Sequence, residues 1–126
     1  YLVRWGGEEF LAVVQDTPRE EAYLLAERIV DAVNSSDMSI NRHTQLKVTC
    51  SVGFAAYPLH QHRFTFFDWQ STVGIADAAL YGAKRRGRDT WMGITGIRST
   101  VSDSSLELIK QQPARIFDHA NVLVRQ

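Results

Sequence analysis

Two adjacent carboxylates stand directly after a pair of glycines in Arg4-Trp5-Gly6-Gly7-Glu8-Glu9-Phe10. A Gly-Gly pair between β-prone segments signals a two-residue hairpin turn. Glycine tolerates the positive φ of such a turn and leaves room for a ligand to approach the backbone. Glu8 and Glu9 then form an electronegative point on a rigid tip. Magnesium prefers such oxygen ligands, uses one or two carboxylates and keeps other positions for substrate phosphates. Along a strand, neighbouring side chains point to opposite faces, so Glu8 shares a face with Phe10 and Glu9 with Leu11. For both to reach one ion, the turn has to distort. A solvated hairpin tip carrying two surface glutamates satisfies the same local pattern.

A second charged cluster lies at Lys84-Arg85-Arg86-Gly87-Arg88. Lys84 and Arg88 are four apart, which projects them from one side of a helix and its cap. They follow Leu80 on the apolar stripe, so they point toward a sheet edge. Such a pair suits triphosphate oxygens, arginine as a planar fork and lysine as a point charge. The same cluster also complements the negative end of a helix dipole, and Arg85 and Arg86 keep that plainer reading. His60 and His62 are expected at the surface of a polar loop, since two histidines alone make a poor metal site.

The elements that must position these groups are legible in the periodicity. Tyr1 to Trp5 and Glu9 to Gln15 read as the two arms of the hairpin. Thr17, Pro18 and Glu20 form a capping-box start for a helix whose buried face is Ala22, Leu25, Ala26, Ile29, Val30 and Val33. Asn34-Ser35-Ser36-Asp37 ends that helix. Leu46, Val48, Cys50, Val52, Phe54 and Ala56 alternate with polar residues as one strand, which Pro58 stops. A loop from 59 to 67, anchored by Phe64, Phe66, Phe67 and Trp69, leads to a second helix over about 68–86, with Gly87 as its C-terminal cap. Residues 90–97 read as a last short strand. The serine-rich stretch after residue 98, a weaker amphipathic segment at Leu106–Ile109, Pro113 and a short strand over 121–125 read as a tail packed on the domain. The expected division is therefore 1–97 and 98–126.

With 126 residues, 44% hydrophobic and 22% charged, the chain suits one globular unit that needs no disulfide or structural metal. Its 14 basic and 14 acidic residues balance, so nothing calls for a nucleic-acid partner, and any anion site must be local. The single cysteine, Cys50, suits a small buried side chain in a reducing compartment. No apolar run approaches the roughly 20 residues that span a bilayer. The chain opens inside an apolar run, Tyr1-Leu2-Val3, which suggests a piece of a longer domain.

The hairpin segment resembles the signature of the GGDEF family, the catalytic domains of diguanylate cyclases, in its Gly-Gly-Glu-Glu-Phe form. Two more blocks follow in the family's order. Val48 to Ala55 resembles its strand, and Ala76-Asp77-Ala78-Ala79-Leu80-Tyr81-Gly82-Ala83-Lys84-Arg85-Arg86-Gly87-Arg88-Asp89 resembles its terminal helix. The resemblance covers residues 1–97 and implies an α/β, palm-like nucleotide-cyclase fold with a mixed, largely antiparallel sheet. It also implies that the family's first strand and two helices precede residue 1. Those elements carry a further metal-binding aspartate, the guanine-recognising residues and the main inhibitory site, so this stretch alone is expected to be inactive.

By the same resemblance, Glu8 binds magnesium (or manganese) and helps activate an attacking 3′-hydroxyl, and Glu9 acts around the metal. Gly6 and Gly7 let the nucleotide lie against the hairpin, while Lys84 and Arg88 bind phosphate. Arg28 matches a helix arginine that assists product inhibition in some members; as a bare pattern it is a solvent-facing helix residue. The implied activity condenses two GTP into cyclic di-GMP between two copies of the domain. A degenerate domain that binds GTP or cyclic di-GMP as a receptor is the competing expectation. Phe67-Asp68-Trp69-Gln70 and Trp91-Met92-Gly93-Ile94 further resemble domains that end membrane-bound sensors, implying an upstream sensory region and a cytoplasmic location for this part.

Overall fold

Gly6 and Gly7 do close a hairpin. In the computed structural model, which describes residues 1–125, strand β1 (Leu2–Gly6) pairs antiparallel with β2 (Glu9–Ala12). Gly7 has φ +53°, a conformation that glycine adopts without the penalty a Cβ imposes. β2 is shorter than the expected run to Gln15, because the ladder closes where Val13 N–H donates to Tyr1 O at 2.8 Å.

Helix α1 (Ala22–Asn34) buries Ala26 and Val30, with Ala22, Leu25, Ile29 and Val33 half-buried beside them, which is the face the periodicity marks. Its start differs from the capping-box expectation. Thr17 Oγ1 donates to Gln15 O, and the helix begins at Ala22 after Glu21, with no side-chain cap. The guanidinium of Arg19 explains the delay. It donates to Thr95 O at 3.0 Å and to Pro58 O at 3.1 Å, pinning the chain to the sheet before the helix can begin.

The long alternating strand expected over 46–56 is divided. Thr44–Leu46 (β4) pairs with Met38–Asn41 (β3) in a second hairpin that the alternation did not reveal. Val52–Ala55 (β5) pairs parallel with β6 (Trp91–Ile97), beginning at Val52 opposite Trp91. Residues 47–51 lie outside this ladder because β6 has no strand residue left to pair with them.

Helix α2 (Trp69–Arg85) is capped by Asp68, whose carboxylate accepts from Ser71 N–H at 2.8 Å. It lies directly on β5: a Cβ at Gly53 would collide with the backbone of Ala76 and Leu80. Of the loop aromatics, Phe67 is fully buried and Phe66 packs on the core, whereas Phe64 and Trp69 stay exposed and anchor nothing.

Residues 103–124 join the same core. α3 (Asp103–Gln111), capped by Ser102, the 3-10 helix Pro113–Asp118 and β7 (Ala120–Val124) contribute Leu106, Ile109, Ile116 and Ala120 to it. β7 runs antiparallel to β6, giving a three-stranded sheet ordered β5-β6-β7. Arg125 clamps α1 to this sheet through Glu27 at 3.1 Å and Asp31 at 2.7 Å, and Trp91 Nε1 donates to Glu27. The fold is mixed α/β, two antiparallel hairpins and a mixed sheet with helices, in keeping with the palm-like cyclase class. Among the described residues, no helix is long and apolar enough to cross a membrane.

Gly53→Ala should cost about 1–3 kcal/mol by forcing α2 off β5, read as a lower denaturant midpoint. The Asp68 cap has a pH signature. Its hydrogen bonds with Ser71 lower the carboxyl pKa, so its contribution is present above the unfolded pKa and is lost as pH falls through the folded one. Asp68→Ala should therefore lower the thermal midpoint at neutral pH, and the gap from wild type should close in acid.

Candidate active site

Glu8 occupies the turn and Glu9 the first position of β2, opposite Gly6. The register shifts between Arg4 and Gly6, so one extra residue, Trp5, bulges from β1 at the tip. Arg4 stiffens the same turn, its Nε and Nη2 donating to Gly7 O at 2.9 and 2.8 Å. Nothing lies within 4 Å of a Cβ built on Gly6 or Gly7, so the backbone at the tip is open to a ligand.

Lys84 reaches this hairpin. Its Nζ lies 3.3 Å from Glu9 Oε1, joining residues 75 apart in the chain. Both side chains remain over a third exposed, 37% and 46%, so water screens the pair and its worth is about 0–1 kcal/mol.

Arg88 reaches its place differently from the helical spacing argued above. α2 ends at Arg85, Gly87 has φ +116°, and Arg88 and Asp89 follow with φ of +62° and +51°. Arg88 N–H donates to Ala83 O at 3.3 Å, the long bond of a Schellman cap. A left-handed turn, rather than helix periodicity, therefore sets its direction. Non-glycine residues in this region are uncommon, and two in succession mark a tightly specified turn. Arg28 stays exposed on α1, away from these groups in sequence and in hydrogen bonding.

Two sequence expectations are refined here. His60 is buried, at 7% exposure, because Ile97 N–H donates to Leu59 O and draws the loop onto β6; His62 is exposed. Cys50 is half-buried, and burial, with a smaller effect of Asp89, pushes its thiol pKa up, which disfavours the reactive thiolate. Among the described residues no group of three or more His, Cys, Asp or Glu is assembled, so the protein oxygens available at the tip are those of Glu8, Glu9 and the turn backbone.

An acidic, glycine-turned hairpin meets a basic helix end on an α/β scaffold. The family model described as diguanylate cyclase, GGDEF domain, matches residues 1–90, and the chain belongs to that family. It is 34% identical over 89 residues to the diguanylate cyclase DosC of Escherichia coli, covering 71% of this chain and 18% of that protein. It is 34% identical over 86 residues to diguanylate cyclase A of Treponema denticola, covering 68% and 22%. Against the bifunctional diguanylate cyclase/cyclic di-GMP phosphodiesterase MucR of Pseudomonas aeruginosa, identity is 29% over 111 residues, covering 86% and 15%. The chain thus spans about a fifth of the length of these relatives. No solved structure matches it.

The exposed Glu9–Lys84 pair should show a coupling of no more than about 1 kcal/mol in a double-mutant cycle of Glu9→Gln and Lys84→Met read by denaturant unfolding. A much larger coupling would mean that this pair, rather than the hairpin's own ladder, holds the tip in place.

Proposed function

We propose that this chain carries the catalytic half-site of a diguanylate cyclase that condenses two GTP into cyclic di-GMP, releasing two pyrophosphates. The observation that carries the reading is the meeting of Glu9 and Lys84, which brings the acidic hairpin and the basic helix end to one place. Family membership and the named relatives support the same activity.

In this reading Glu8 and Glu9 would hold magnesium or manganese at the open tip. The ion, when bound, neutralises triphosphate charge and lowers the pKa of the attacking 3′-hydroxyl. Lys84 would offer its ammonium, and Arg88 its guanidinium fork, to the phosphate oxygens. Gly6 and Gly7 leave the backbone open for the nucleotide. Each 3′-oxygen bonds to the α-phosphorus of the other nucleotide, the bond to pyrophosphate breaks, and the hydroxyl proton is released. A symmetric product formed from two such attacks needs two copies of the domain related by a two-fold axis. Positioning and charge stabilisation supply most of the rate in such phosphoryl transfers.

In the intact protein, Glu8→Gln should abolish cyclic di-GMP formation, measured by chromatography of the products, while leaving the thermal midpoint near wild type. Lys84→Ala or Arg88→Ala should each weaken GTP handling by about 1.5–3 kcal/mol, seen in kcat/KM, with Arg85→Ala close to wild type. Retained synthesis in Glu8→Gln, or equal damage from Arg85→Ala, would sink this assignment.

A further inference from the structure

A cavity of about 510 Å³ lies away from the acidic hairpin. Its walls come from the segment before α1, the loop after β5, the end of β6 and the turn that follows. Strands β5 and β6 are parallel and α2 connects them, so α2 starts at the strands' C-terminal ends and finishes at their N-terminal ends. Lys84, bonded to Glu9, marks the finishing end. The cavity, lined by residues 95–98 of β6 and its continuation, lies at the starting end. The 17 residues of α2 place about 25 Å between those ends.

Two arginines face this cavity, Arg19 and Arg98. Among the described residues neither has a carboxylate within 4.0 Å, although Glu20 also lines the wall. Arg19 is pinned by two backbone carbonyls, Thr95 O and Pro58 O, which use only two of its five N–H donors. Gly96 makes room for it: a Cβ there would sit 3.2 Å from Arg19 Nη1. The guanidinium is thus fixed in place with donors to spare. In the same lining, Arg98 O accepts from Val101 N–H, closing a turn whose Ser99 and Thr100 amides and hydroxyls have no protein partner among the described residues. A fixed guanidinium fork, a second exposed arginine and turn amides and hydroxyls make a donor set that suits a phosphoryl group.

The rest of the wall discriminates among phosphorylated ligands. Ile97 is the one large aliphatic side chain lining it among the described residues, and the rings that line it are the imidazoles of His60 and His62, which add polar nitrogens to the wall. Side-chain amides, hydroxyls and the Glu20 carboxylate line it too, and a carboxylate beside cations accepts hydrogen bonds from ligand hydroxyls. The volume lies in the range of small-molecule sites. We infer that this cavity is a second site that binds a phosphorylated polyol of sugar-phosphate size, its phosphate held by Arg19, Arg98 and the Ser99–Thr100 turn.

Calorimetric titration of the intact protein with glucose 6-phosphate, glucose and inorganic phosphate tests this, with and without saturating GTP. One site per chain is expected for glucose 6-phosphate, tighter than for phosphate, with no heat from glucose and no change with GTP. Arg98→Gln, at an exposed position, should weaken binding by roughly tenfold without moving the thermal midpoint. Gly96→Ala, which crowds Arg19, should weaken it as well. No saturable binding at millimolar sugar phosphate, affinity untouched by Arg98→Gln, or displacement by GTP would overturn the site. Phosphate binding as tightly as glucose 6-phosphate would overturn the polyol assignment.

Discussion

Helix α2 seats so closely on β5 that residue 53 has no room for a side chain, and the rest of the molecule is arranged around that contact. Ile75, Ala79 and Ala83 form the buried stripe of the helix, and their small or compact side chains let its backbone approach the sheet. Because β5 and β6 are parallel, the helix has to traverse their whole length to connect them. One end therefore delivers Lys84 to the acidic hairpin, and the other lies with the loop and turn that enclose the polar cavity. Two regions with distinct chemistry are separated by one rigid rod.

The acidic hairpin is held quite differently from the basic end of α2. The first hairpin shares no sheet with β5-β6-β7, and its residues are exposed except for half-buried Leu11. Leu2, Val3, Trp5, Phe10, Val13 and Val14 all present apolar surface to solvent. The tip is shaped internally, by the Gly7 turn, the bulge at Trp5 and the Arg4 hydrogen bonds to Gly7 O. Its link to the core is the screened ion pair from Glu9 to Lys84.

The last quarter of the chain supplies structure as well as covering. β7 completes the sheet, and Leu106, Ile109, Ile116 and Ala120 fill the side of the core that α2 leaves open. Arg125 then ties the end of β7 back to Glu27 and Asp31 on α1. With Trp91 donating to Glu27, this network fixes α1 across the sheet, while the ring of Trp91 lies 5.9 Å from those of both Tyr23 and Phe54.

The sequence by itself determined the elements whose signals are local. The Gly6-Gly7 turn, the apolar stripes of α1 and α2, and the break at Pro113 each depend on residues within a few positions of one another. Motif order likewise identified the family, because Gly-Gly-Glu-Glu-Phe and the Lys84–Asp89 segment carry their chemistry in the chain itself. Tertiary structure decided whatever needed a distant partner. Where β5 begins depends on Trp91 as its neighbour, so alternation alone overextended the strand and hid the β3–β4 hairpin. The capping-box residues before α1 yielded to Arg19, whose carbonyl partners Pro58 and Thr95 are far away in sequence. His60 is buried only because its loop docks on β6. Arg88 is aimed by three consecutive positive-φ residues that helical spacing cannot express. A pattern records what a residue prefers among its neighbours; strand pairing, docking and long-range hydrogen bonds decide which preference survives.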